Sequence, residues 1–211
     1  MPSSLTALAT TSTEVPEKPA CLNDGTECAP GTPVAIKVNA TEVYNFYVIS
    51  DEDNEVTLIM DRNIYVSGST TDVNVVWYAD SADNSHGPTT AVTTLKERTN
   101  GWNNIPERVY TYSDDGGGNM YSSFTETMRA RMLTKTEASA LKTVNNDRIP
   151  SWLYVNLKEK GDNNTWGYWL STADGNYSDS AISMYYIGNF SRTNVTDSRY
   201  IGLRPVITLT K

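Results

Sequence analysis

Side chains able to carry out chemistry are few. His86 is the single histidine among 211 residues, and it stands directly before Gly87-Pro88. Glycine-proline is a helix-starting pair, so a capping or surface role is preferred over a general base. Two cysteines, Cys21 and Cys28, enclose six residues and have no histidine beside them, too few ligands for a zinc site. They read as a disulfide staple in preference to two free thiols, and a staple favours an exported protein. Asp114, Asp115, Asp174, Asp179 and Asp197 stand in polar, loop-like stretches where a solvated acid is the ordinary state; a glycosidase pair among them is the minor reading. The acids Asp51, Glu52, Asp53 and Glu55 lack the glycine and downstream glutamate of a calcium loop and read as a solvated turn. The glycine-rich run 113–119 (SDDGGGN) has no following lysine and no strand–turn–helix setting, so it reads as a mobile loop, not a phosphate cradle. No catalytic residue, metal or cofactor is assigned, and the chain is not expected to be an enzyme.

The elements that would position these groups are legible in part. Val34, Ile36 and Val38 alternate with Ala35 and Lys37, which predicts a strand over 33–39. The β-branched and aromatic runs 43–50 (VYNFYVIS) and 56–61 (VTLIMD) flank the acidic turn as an antiparallel hairpin should. A helix is predicted from Gly87-Pro88 through Ala91, Val92 and Leu95 to Thr99, stopped by Asn100-Gly101. A second helix begins with the capping box Thr134…Glu137 and continues through Ala138, Leu141 and Val144. An aromatic stretch (Trp152, Tyr154, Trp166, Tyr168, Trp169) precedes a final strand over 203–210. An α+β domain with a mixed, mainly antiparallel sheet, two short helices and long C-terminal loops is expected.

Lys and Arg number 17 against 25 Asp and Glu, a net charge of −8. Such a surface repels phosphate backbones and anionic headgroups, so neither nucleic acid nor direct membrane insertion of this chain is expected. Residues 1–20 hold neither a basic start nor an apolar run of signal-peptide length. Residues 1–32 read as a flexible lead-in carrying the Cys21–Cys28 loop, and 33–211 as the folded domain.

Several motifs carry a resemblance. The stretch 130–138 (ARMLTKTEA) resembles the helix-start motif of the formylglycine-generating-enzyme branch of the C-type lectin fold. Residues 167–173 (GYWLSTA) resemble the aromatic strand that follows it, and 202–206 (GLRPV) is similar to the closing segment of that branch. The N-terminal half, with Asp61-Arg62-Asn63, Trp77 and the helix after Gly87-Pro88, resembles lectin-like heads of prepilin-type bacterial surface proteins. The resemblance implies a C-type-lectin-like fold over 33–211 with its first and last strands paired in one sheet. The paired C-terminal cysteines of formylglycine-forming relatives have no match here, so that activity does not carry over. Trp102-Asn103-Asn104 comes too early, and without a partnering Glu-Pro-Asn, for the calcium site of the wider fold.

Asn, Asp, Ser, Thr and Tyr account for 24 of the 40 residues of 161–200, close to the palette of antibody contact loops, and 161–210 contains no Lys and no Glu. This pattern resembles the variable proteins of diversity-generating retroelements, whose hypervariable face lies at the C-terminal end of the same lectin fold. An alternative is that a polar, loop-rich insert lacks these residues by chance. The resemblance implies Asn176, Tyr177, Asp179, Ser183, Tyr185, Tyr186, Asn189, Phe190, Arg192, Asn194 and Tyr200 as ligand-binding positions. Tyr185 and Tyr186 cannot both face one side of a strand, so one is structural. Trp169, Ile201, Leu203 and Val206 are core by default, and Arg204 is expected to meet a buried carbonyl or acid. The function implied is an extracellular adhesion or display module, anchored at the cell surface through a segment outside this chain and binding a protein or glycan on another cell or particle. A structural pilin-like subunit and a carbohydrate-active enzyme are the alternatives.

Overall fold

The computed structural model describes residues 26–65, 76–142, 148–157, 165–197 and 201–211. Among the described residues, ten strands and two α-helices form an α+β domain: β1 (Pro33–Lys37), β2 (Val43–Glu52), β3 (Glu55–Met60), α1 (Thr89–Thr99), β4 (Arg108–Tyr112), β5 (Phe124–Met128), α2 (Lys135–Ala140), β6 (Gly167–Ala173), β7 (Ser180–Tyr185), β8 (Phe190–Asn194), β9 (Ile201–Gly202) and β10 (Val206–Thr210). One sheet has the order β1-β2-β3-β10, a second β8-β7-β6-β9, and β4-β5 is a separate hairpin. All described pairings are antiparallel except β6 with β9.

The first and last strands share one sheet, but they occupy its opposite edges and do not pair with each other. The hairpin β2–β3 lies between them, because Asp53 and Asn54 both take positive φ (48° and 62°) and fold β3 back on β2 as a tight two-residue turn. The acidic turn is not simply solvated. Asp51 is 9% exposed; its Oδ2 accepts the Cys28 amide at 2.6 Å and its Oδ1 lies 2.5 Å from Lys211 Nζ. Cys28 is itself buried and disulfide-bonded, whereas its expected partner Cys21 lies outside the described residues.

Two hydrophobic cores lie on the two faces of the first sheet. Val34, Ile36, Phe46, Val48, Val56, Leu58 and Ile207 enter one together with α1 residues Ala91, Val92 and Leu95. Ile49, Ile59 and Val206 enter the other, against Leu133, Ala138, Leu153 and Leu170. Strand β6 is buried along its whole length and alternates between them, with Trp169 and Ala173 in the first and Tyr168 and Leu170 in the second. An irregular register between Val48 and Ser50 lets Ile49 reach the second core.

Helix α1 matches the predicted span; α2 is shorter than expected, ending at Ala140, and Val144 lies outside the described residues. The start of α2 is fully satisfied. Lys135 N–H donates to Thr172 Oγ1 (3.0 Å), Thr136 N–H to Asp115 Oδ2 (2.8 Å) and Glu137 N–H to Thr134 Oγ1 (3.0 Å), while Ala138 N–H donates to the Thr134 carbonyl (3.1 Å). Glu137 reaches back to Thr134 N–H and is clasped by both terminal nitrogens of Arg131. Burial alone would raise the Glu137 carboxyl, but the Arg131 guanidinium and the Thr134 donors outweigh it and hold it below its usual value.

The run 113–119 is ordered by its own aspartates. Asp114 accepts the amides of Gly116 and Met120, both at 2.9 Å, and Asp115 binds Thr172 as well as α2. A Cβ on Gly118 would stand 2.7 Å from the Gly175 Cα, so this glycine permits close packing of two loops and does not mark a mobile one.

Arg204 is 2% exposed and meets carbonyls, as expected. Nε donates to Met60 O (2.5 Å), Nη1 to Leu153 O (2.6 Å) and Nη2 to Trp152 O (3.0 Å), with the guanidinium 5.4 Å from the Tyr168 ring centroid. Replacing it (Arg204→Met) is expected to cost about 3 kcal/mol or more, since each charged hydrogen bond contributes about 1.5–3 kcal/mol; Trp169→Ala should cost about 3–5 kcal/mol through its cavity. Urea unfolding checks both. Glu137→Gln gives a pH signature. Because the folded carboxyl is depressed, its contribution is present above the unfolded value near ~4.3 and is lost as pH falls through the lower folded value. The stability gap between wild type and Glu137→Gln should therefore be widest near neutrality and narrow below pH ~4, measured by urea titration at each pH.

Candidate functional site

The residues singled out for contact lie on the second sheet and its connections. Strand β7 alternates its faces. Ile182 and Met184 turn toward the second core, whereas Ala181 and Tyr185 turn toward the first. The neighbouring outer strand β8 is in register with it, Ile182 opposite Arg192 and Met184 opposite Phe190.

This alternation sorts the contact set. Asn176, Asp179, Asn189, Arg192 and Asn194 are exposed, and Tyr177 and Tyr186 are 50% and 53% exposed. Ser183 is fully buried: its hydroxyl lies 2.9 Å from that of Thr193 and donates to Ser191 O at 3.2 Å, so it ties β7 to β8 and offers nothing to a ligand. Tyr185 and Phe190 are half-buried, Tyr185 against the first core and Phe190 against the second. Of the two adjacent tyrosines, Tyr186 faces outward. Tyr200 lies outside the described residues.

The exposed members do not form one continuous patch. Asn176, Tyr177, Asp179, Arg192 and Asn194 gather where the β6–β7 connection meets the end of β8, and Tyr186 and Asn189 occupy the β7–β8 turn. These groups stand at opposite ends of β7, about 20 Å apart at ~3.4 Å per residue.

At the first end the Arg192 guanidinium carbon lies 3.7 Å from the Tyr177 ring centroid, a cation–π stack joining the loop to the outer strand. The loop main chain is held from outside itself. Asn84, completely buried, donates its side-chain amide to the carbonyls of Asp174 (3.2 Å), Tyr177 (3.1 Å) and Ser180 (2.6 Å), and its backbone N–H to Ser178 O (2.6 Å). Asp174, 8% exposed, accepts the Asn176 amide at 2.9 Å and is an organiser of the loop, not a solvated acid.

At the second end Gly188 takes φ +79°, and a Cβ there would fall 2.5 Å from the Tyr154 ring. The turn can therefore sit directly on Tyr154. Beside it a cleft of about 640 Å³ is lined by Tyr154, Val155, Asn156, Leu157, Thr165, Trp166 and Tyr186, none of them acidic or basic. Trp166 packs edge-on against Tyr185 (6.0 Å between centroids) and Tyr186 (6.3 Å). Val155, Trp166 and Ile187, at 38%, 39% and 60% exposure, add apolar surface that the sequence reading did not assign to the site. Clefts of this size with aromatic walls are typical ligand sites.

Elsewhere the candidate chemistry is dispersed. His86 is exposed and pairs with Asp80 (Nδ1–Oδ1 2.9 Å), an acceptor that raises the imidazole and lowers the carboxyl. Asp114 and Asp115 are spent on main-chain and hydroxyl donors. Trp102 is buried against Tyr44 and Phe46. Among the described residues no group of three His, Cys, Asp or Glu side chains could hold a metal ion, and no helix is long and apolar enough to cross a membrane. In comparisons with known proteins the chain matches no family model, no curated protein and no solved structure.

The half-buried and exposed aromatics separate in a melting experiment. Tyr185→Ala and Phe190→Ala should each cost about 1–3 kcal/mol of stability through lost apolar contact. Tyr177→Ala and Tyr186→Ala should stay within about 1 kcal/mol of wild type, as outward-facing positions do. Differential scanning calorimetry of the four variants is the check.

Proposed function

We propose that this α+β domain is an extracellular ligand-binding module of the C-type-lectin-like kind, used for adhesion or display at a cell surface. Its contact residues sit on the sheet β8-β7-β6-β9. The observation that carries this reading is the placement of exposed Tyr and Trp side chains on a rigid frame. Tyr177 is stacked by Arg192 over a loop held through its backbone, and Tyr186 and Trp166 border a cleft whose described lining residues are uncharged. Aromatic side chains with little rotameric freedom give large contact area at low entropic cost, and Tyr, Trp and Arg are the residue types in which binding energy concentrates. The Asn, Ser and Asp residues around them add adaptable hydrogen bonding.

The absence of Lys and Glu from 161–210 and the abundance of Asn, Asp, Ser, Thr and Tyr support the likeness to variable proteins of diversity-generating retroelements. The positions carried forward are Asn176, Tyr177, Asp179, Tyr186, Asn189, Arg192 and Asn194, with Trp166 added from the cleft. The partner is a protein or glycan presented by another cell or particle.

Glycan and protein arrays probed with the labelled domain provide the test. At least one array feature should bind saturably, and Tyr177→Ala or Tyr186→Ala should weaken it by about 1–3 kcal/mol, roughly 5- to 150-fold, with melting temperature unchanged. Empty arrays together with concentration-dependent self-assembly in solution would replace this reading with that of a structural surface subunit.

A further inference from the structure

Among the described residues, the hydrogen bonds to the main chain of the loop between β6 and β7 come from groups outside its exposed residues 176–179. Asn84 supplies three side-chain bonds and one backbone bond to this loop. The loop ends close on each other through Asp174 N–H to Ser180 O and Ser180 N–H to Tyr177 O, both 3.1 Å, and Val195 N–H holds the Asp179 carbonyl at 2.9 Å. Gly175 packs against Gly118 of the neighbouring loop. The side chains at 176–179 are exposed, and among the described residues they contribute to this frame through the Tyr177–Arg192 stack and a bond from Ser180 Oγ to Asp179 Oδ1 (2.8 Å).

We propose that Asn84 is a positioning residue, which holds the loop that presents residues 176–179 by its main-chain carbonyls, so that the side chains at these positions can be exchanged while the loop keeps its course. A primary amide fits this place: its two N–H groups are shared among three carbonyls, while Oδ1 has no hydrogen-bond partner among the described residues, and the reversed amide would set its oxygen against those three carbonyl oxygens. Backbone carbonyls are common to every residue type, so these bonds survive any substitution at 176–179 that tolerates the local φ and ψ. Asn84 lies more than ninety positions upstream of the residues it holds, so variation confined to the C-terminal segment leaves the support untouched. Specificity would then reside at 176–179 and loop geometry at Asn84. The contact role of 176–179 rests on the ligand-binding reading above; the positioning role does not.

The test combines amide hydrogen exchange with a substitution library, neither needing a ligand. In the unaltered protein, the amides of Asp174, Asn176 and Ser180 should be protected to the degree of sheet amides such as those of β7. In Asn84→Ala they should exchange at least tenfold faster, while amides of β10 keep their rates. A merely structural role for Asn84 would accelerate both regions together. A library placing Asn, Asp, Ser, Thr or Tyr at 176, 177, 178 and 179 should yield members that melt within a few degrees of wild type and keep the loop protection. Free-peptide exchange of the loop in wild type, uniform acceleration in Asn84→Ala, or general unfolding of the library would each overturn the proposal. If Asn84→Ala fails to fold, the wild-type exchange rates and the library still decide. Array binding of the folded library members separates the two readings: an ordered, exchangeable loop with no bound ligand removes the ligand-binding role and leaves the positioning role in place.

Discussion

A buried guanidinium that donates to main-chain carbonyls organises this protein. Arg204 lies between the two cores and spends its donors on the carbonyls of Met60, Trp152 and Leu153. Burial pushes the group below its usual value and Tyr168 and Asp61 oppose that shift, yet an arginine at this depth keeps its proton. Leaving such a charge unpartnered would cost several kcal/mol, so the three carbonyls must stay where they are. One ends β3, and the other two belong to the turn of 3₁₀ helix at Ser151–Leu153. Tyr168 OH shares the Leu153 carbonyl (2.9 Å), which brings β6 into the same cluster. The first sheet, the second sheet and the connecting helical turn are thereby fixed to one another by a single side chain.

The second sheet inherits its rigidity from this joint. With β6 buried on both faces, β7 is laid down beside it and β8 at the sheet edge, their register held by Ser183 and Thr193 as well as by the backbone ladder. What remains for solvent is the far side of β8, the loop held by Asn84 and the turn seated on Tyr154. The loop and the turn are anchored through backbone bonds and glycine geometry, to which the Tyr177–Arg192 stack and the Tyr186–Trp166 contact add. Ordering entropy is thus met within the fold, before any ligand arrives, which is the condition for aromatic contact residues to contribute affinity.

Much of the frame was legible in the sequence because it depends on neighbours in the chain. The Thr134…Glu137 capping box, the Pro88 helix start and the alternation in β1 to β3 are local patterns, and GYWLSTA coincides with β6. Errors arose where distant partners decide. Asp51 reads as a turn acid until Lys211 and the Cys28 amide close on it. The triple glycine reads as mobile until Asp114, Asp115 and Gly175 enclose it. Ser183 belongs to the contact palette by type but faces inward by strand parity, which the irregular pairing between Trp169 and Ala173 hides from sequence. Asn84 carries no local signal, being one polar residue among several in 80–86. The Trp166 cleft is assembled from segments that only the fold brings together.

The same inventory bears on chemistry against recognition. General acid–base catalysis needs a proton-exchanging group that is both free to react and aimed into a water-shielded pocket. Asp114, Asp115 and Asp174 are partly or wholly buried, and their oxygens accept amide or hydroxyl protons that shape loops. His86 and Asp179 are exposed at separate places, and among the described residues the lining of the Trp166 cleft carries no acid, base or histidine. Among the described residues, side chains that are reactive by type are thus hydrogen-bonded or solvated, while Tyr177 and Tyr186 turn about half their surface outward, Tyr177 stacked on Arg192 and Tyr186 packed beside Trp166. On the ligand-binding proposal, a fold that commits these polar groups to backbone support and packs many of its aromatic rings inside would hold Tyr177, Tyr186 and Trp166 still at its surface, as selective binding requires.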